Sequence, residues 1–115
     1  MGKSVGKHFV VEFKDCDPER IKYRPNVEAA LLDAVQASGA TYINHYVHQF
    51  EPFGVSAVVL IAESHFSLHT WPEERYAGFD VFTCGPRAMA EKAITLLRKA
   101  FAAREVEQTV MERQT

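Results

Sequence analysis

Cysteine is scarce in this chain: Cys16 and Cys84 are the only two among 115 residues. Two thiols do not make a disulfide framework, and in a reducing compartment they stay unpaired. Glycine and proline are equally sparing, at six and five residues. No stretch collects them into a linker or a low-complexity tract, so the expectation is one folded domain over residues 1–115. Neither sign of charge dominates: 13 lysines and arginines stand against 15 aspartates and glutamates, a net charge of −2. With no basic stripe to neutralise phosphates, nucleic acid is not an expected partner. Long hydrophobic runs are missing as well. The opening MGKSVGKHFVVEF has an apolar run too short for a secretion signal or a bilayer span, so the chain reads as cytoplasmic, with no membrane partner.

What is present has legible periodicity. His8 to Phe13 is β-rich and ends at Asp15-Cys16-Asp17-Pro18. Val27, Ala30, Leu31, Ala34 and Val35 recur at helical spacing, with Asn26 as the expected N-cap and Gly39 as the stop. Thr41 to Phe50 and Val55 to Ala62 read as a hairpin across Glu51-Pro52-Phe53-Gly54. Phe66 to Trp71 and Tyr76 to Thr83 read as a second pair across Pro72 to Arg75. A helix follows Gly85-Pro86 on the apolar face Ala90, Ala93, Ile94, Leu97 and Phe101, and Glu105 to Met111 can add an edge strand. The expected fold class is α/β in the α+β sense, a two-layer sandwich of a mainly antiparallel sheet with two helices on one face. The other face then needs a cover, and in so small a chain a deep pocket is easier to build between two copies, so a homodimer is expected.

The reactive side chains are concentrated in AESHFSLHTWPEERYAGFDVFTCG, where Ser64, His65, His69 and Cys84 stand close together. Each has a plainer role open to it. A serine at a strand end hydrogen-bonds to nearby backbone, and on position alone that role prevails for Ser64. A thiol at a strand end packs as a small apolar group. His65 and His69 have the spacing of a zinc pair on a helix, but β-prone neighbours place them on a strand, about 13 Å apart. His45 and His48 should face opposite sides of their strand, so no metal is expected. A serine hydrolase lacks its nucleophile-elbow motif, which lowers that reading without removing it.

The longer run decides the direction. ESHFSLHTWPE followed by FDVFTCG closely resembles the bacterial and archaeal S-adenosylmethionine decarboxylases, the small pyruvoyl-dependent class. GKHFVVEF, the following CD, SGAT at 38–41 and HQFEPFGVSAVV at 48–59 extend the likeness from Gly6 to about Glu112. The resemblance implies self-cleavage between Glu63 and Ser64, giving a β chain of residues 1–63 and an α chain of residues 64–115. Ser64 would attack the carbonyl before it to give an ester, and β-elimination would leave a dehydroalanine whose hydrolysis, with loss of ammonia, gives a pyruvoyl cofactor at position 64 that forms a Schiff base with the substrate amine. Ser56 and His69 would serve the processing, His69 as the base. Cys84 would be the proton donor in decarboxylation, its thiol acting as the acid. Phe50 would stack on the substrate and Glu73 would accept from its ribose, although alone they read as a hairpin-end core residue and a solvated turn charge. The implied substrate is S-adenosylmethionine, decarboxylated to the aminopropyl donor for polyamine (spermidine) biosynthesis, in a dimer whose sites draw groups from both protomers. The alternatives are a pyruvoyl decarboxylase of arginine or ornithine, and a relative that folds without cleaving.

Overall fold

The structure is a computed structural model describing residues 2–115. In chain order it forms β1 (Ser4–Lys14), α1 (Pro18–Ile21), α2 (Arg24–Ser38), β2 (Tyr42–Gln49), β3 (Val55–Ile61), β4 (Ser64–Trp71), β5 (Tyr76–Thr83), α3 (Arg87–Phe101) and β6 (Glu105–Gln114), with a single 3₁₀ turn at Pro72–Glu74. The six strands lie in the order β2-β3-β4-β5-β1-β6, and every neighbouring pair is antiparallel. The helices cover one face, as the two-layer expectation required.

Alternation along the strands builds the core. Phe9, Val11 and Phe13 of β1, Phe66 and Leu68 of β4, and Phe79 and Val81 of β5 are buried beneath Val27, Leu31, Ala93, Leu97 and Phe101 of the helices. Phe79 is central. Its ring stacks on Phe13 at 6.1 Å and meets Phe66 edge-on at 5.8 Å. Each such side chain contributes about 1.5–3 kcal/mol by burial, so three strands and two helices are pinned together by these side chains.

Several boundaries differ from the sequence expectation: β1 starts at Ser4, not His8, and β6 runs to Gln114, not Met111. Helix α2 starts at Arg24, not after an Asn26 cap. Pro25 sits in its first turn, where a missing N–H is harmless, and the Arg24 N–H donates instead to Oε1 of Gln49 at 2.5 Å. A cap supplied from β2 leaves no local signature. The punctuation after β1 is itself a single helical turn, α1, whose Glu19 N–H donates to the Asp17 carboxylate at 3.0 Å. Strand β4 begins at Ser64, two residues earlier than Phe66, because Ser64 pairs with Ile61 across a two-residue turn.

The uncovered face is apolar where it should be polar if it met only water. Tyr46 is 66% exposed and Leu60 50%, and Val58 and Met111 are exposed with them. An apolar surface spread over several strands marks an interaction site in a small protein. His45 and His48 do point to opposite sides: His45 Nε2 meets Glu28 of α2 at 2.8 Å, while His48 lies edge-on to Phe50 at 4.6 Å.

Candidate active site

The β3–β4 turn carries the first group of reactive residues. Ala62 and Glu63 form the turn, and Ser64 opens β4 with φ at +149°, a backbone region that residues with a side chain rarely occupy. The Glu63 carbonyl accepts a hydrogen bond from the backbone N–H of Cys84 at 3.0 Å. The carbonyl carbon next to the Ser64 hydroxyl is therefore already polarised by a fixed donor, which is what a developing oxyanion needs. The Ser64 hydroxyl is 3.5 Å from Nδ1 of His65. The Cys84 residue is exposed, at the rim of a cavity of about 290 Å³ lined also by Gly6, Lys7, Arg87 and Glu112. Cys16 is different: it is buried, and desolvation followed by the nearby Asp15 charge pushes its thiol up to about 11.

The second group lies at the other end of β4. Ser56 and His69 are register partners on β3 and β4, and Ser56 Oγ lies 2.8 Å from His69 Nδ1. Phe50, Trp71 and Glu73 join them around a cavity of about 270 Å³. Phe50 is 48% exposed and Trp71 is exposed beside it, so two aromatic faces are open to a flat or cationic ligand.

The structure thus brings Glu63, Ser64 and Cys84 together, and separately Ser56, His69, Phe50 and Glu73. It does not bring the two groups together within one chain. His69 follows Ser64 by five residues on a single strand, a separation of roughly 16 Å at strand rise.

Sequence reasoning missed Thr41 and the structural part of Gly85. The Glu63 carboxylate accepts from the Thr41 N–H at 3.0 Å and from the Thr41 hydroxyl at 3.1 Å. These bonds, the backbone one first, hold the Glu63 carboxyl below its ordinary pKa. A Cβ at Gly85 would stand 3.2 Å from Cγ of Glu63. SGAT was visible as a motif, but a contact between residues 22 positions apart has no local pattern to reveal it. Among the described residues no three His, Cys, Asp or Glu side chains are grouped to hold a metal ion. No helix among them is long and apolar enough to cross a membrane.

A mixed α+β domain with Ser64, His65 and Cys84 gathered at one end of the sheet and a Ser56–His69 pair at the other has the make-up of an enzyme, and comparison with known proteins identifies its family. The family model described as S-adenosylmethionine decarboxylase matches residues 7–114, and the chain belongs to that family. Relatives of the proenzyme type show how specific the match is. The S-adenosylmethionine decarboxylase proenzyme of Parasynechococcus marenigrum is 48% identical over 94 residues, covering 82% of this chain and 73% of that one. That of Prochlorococcus marinus is 42% identical over 111 residues, covering 96% and 89%. The crystal structure of the adenosylmethionine decarboxylase from Aquifex aeolicus superposes with a TM-score of 0.90 at 33% identity, covering 96% of this chain and 92% of that one.

Proposed function

We propose that this chain decarboxylates S-adenosylmethionine, yielding the aminopropyl donor for polyamine synthesis, through a pyruvoyl group that it makes from its own Ser64. The observation that carries the reading is the Glu63–Ser64 bond itself. Its carbonyl rests on the Cys84 N–H, its serine is held in a strained conformation, and the hydroxyl needed for attack belongs to the next residue. Relatives named as proenzymes fit a chain that must be processed before it acts.

A pyruvoyl ketone at position 64 supplies the carbonyl that captures the substrate amine and draws off the electrons released with CO₂. The side chains around it have separate tasks. Cys84, exposed at the cavity rim, delivers a proton to the substrate carbon that has lost its carboxylate. Phe50 offers a face to the adenine or the sulfonium, and Glu73 accepts from the ribose hydroxyls. The Ser56–His69 pair takes the α-proton of Ser64 during processing.

The roughly 16 Å between Ser64 and His69 on one strand means that a complete site takes its two halves from two protomers. A homodimer stacked through the uncovered sheet faces meets that need. In a two-fold pair the same patch contacts itself, so the His69 end of one β4 can lie over the Ser64 end of its partner. Tyr46, Val58 and Leu60 then supply the apolar area such an interface uses.

The deciding experiment is denaturing mass spectrometry of the purified protein, followed by decarboxylation assays with S-adenosylmethionine, arginine and ornithine. Two fragments split after Glu63, a borohydride-reactive carbonyl on the fragment beginning at 64, and CO₂ release from S-adenosylmethionine alone are expected. A single intact chain overturns the reading. A test of the shared site is co-expression of Ser64→Ala with His69→Ala: neither alone yields active enzyme, and the mixture regains activity with cleavage confined to the His69→Ala chain.

A further inference from the structure

We propose that Thr41 is a positioning residue for cleavage of the Glu63–Ser64 bond, a role that rests on the self-processing proposed above. Thr41 touches the turn at three points. Its N–H donates to Oε1 of Glu63 at 3.0 Å and its hydroxyl to Oε2 at 3.1 Å. Its carbonyl accepts from the N–H of Ala62 at 2.9 Å. The stem of the same glutamate lies where any side chain at Gly85 would crowd it, at 3.2 Å from Cγ. Glu63 is thus gripped at its carboxylate and confined along its stem. Between those points its carbonyl rests on the Cys84 N–H at 3.0 Å.

The chemistry explains why the grip matters. In the N-to-O shift the Ser64 oxygen bonds to the Glu63 carbonyl carbon, that carbon releases the Ser64 nitrogen, and the hydroxyl proton ends on the freed amine. Nothing else is consumed. The carbonyl oxygen carries negative charge on the way, and only a carbonyl held on the Cys84 N–H has that charge stabilised. A turn residue free to rotate its peptide plane would spend most of its time off that donor. Misplacement on the ångström scale costs such intramolecular reactions about a hundredfold. The strained φ of Ser64 persists only because its surroundings hold it, and the Thr41 bracket is the part of those surroundings that holds the Glu63 side chain.

The test follows cleavage over time by denaturing mass spectrometry in freshly translated wild type, Thr41→Val and Thr41→Ser, with thermal unfolding measured on each. Thr41→Val loses a hydrogen bond to a charged group and should slow cleavage about ten- to a hundredfold. Thr41→Ser keeps both donors and should restore the rate. Below the ordinary glutamate range, protonation of Glu63 should slow wild-type cleavage, and the fall should begin at higher pH in Thr41→Val. If Thr41→Val cleaves at the wild-type rate, the inference is overturned. If Thr41→Ser is as slow as Thr41→Val in proportion to lost thermal stability, Thr41 is only structural and the inference is equally overturned. A wild-type chain that never cleaves instead removes the self-processing itself, an outcome told apart by the control alone.

Discussion

The phenol of Tyr76 lies along its own strand over Gly78 and donates a hydrogen bond to the Glu12 carboxylate on β1. Gly78 is the register partner of Glu12, and a Cβ there would stand 2.9 Å from the Tyr76 oxygen. Desolvation and then the Glu12 hydrogen bond push the Tyr76 pKa up to about 12 from 10.0. The folded protein therefore holds this proton more tightly than the unfolded chain. The contribution is complete below the unfolded value and is lost as pH rises through the folded one. Thermal unfolding should show stability falling between about pH 10 and about pH 12, and Tyr76→Phe should flatten that decline. An unchanged alkaline limb in the variant would remove Tyr76 as its source.

Ser64→Ala removes the attacking oxygen, so the chain should stay whole and inactive while folding normally, as seen by mass spectrometry and circular dichroism. Cys84→Ala keeps the backbone N–H on the Glu63 carbonyl and should still be cleaved. Its decarboxylation should slow about 10²- to 10⁴-fold, the range for loss of a general acid. Normal turnover in Cys84→Ala would strip the thiol of that role.

Phe50 is 48% exposed in the single chain, its ring edge-on to His48 at 4.6 Å. Phe50→Ala should therefore leave thermal stability nearly unchanged while raising KM about tenfold, the scale of one aromatic or cation–π contact. Glu73→Gln should act in the same direction on substrates with an intact ribose and less on analogues lacking its hydroxyls. Steady-state kinetics on the two substrate types decides it.

Leu60 projects from the uncovered face at 50% exposure. Leu60→Glu should leave the protomer's fold intact and shift the protein from dimer to monomer in light scattering. On the proposed sharing of the site between two protomers, cleavage should stop as well. A cleaved, active monomer would refute the shared site.

The strands and both long helices were legible from their apolar patterns: Val55 to Ala62 is an almost unbroken apolar run, and the apolar residues of Ala90 to Phe101 recur at helical spacing. The cap of α2 was not, because Gln49 supplies it from another element. The candidate site residues were named by resemblance, and the structure adds which of them meet: Ser56 with His69, and Glu63 with Cys84. Thr41 escaped notice because a threonine after a helix end has no chemistry of its own until its glutamate partner is known.

The strand order has a consequence for the life history of the protein. The proposed cut after Glu63 would leave β1, β2 and β3 on one piece and β4, β5 and β6 on the other. The order β2-β3-β4-β5-β1-β6 then interleaves them, with β1 gripped between β5 and β6 and the β4–β5 pair held between β3 and β1. Two pieces so threaded do not fall apart, but once denatured they must find each other again by diffusion, with the β3–β4 turn no longer setting their register. Assembly would then be a single opportunity belonging to the uncut precursor, and heat or denaturant that the precursor survives by refolding should inactivate the cut form for good.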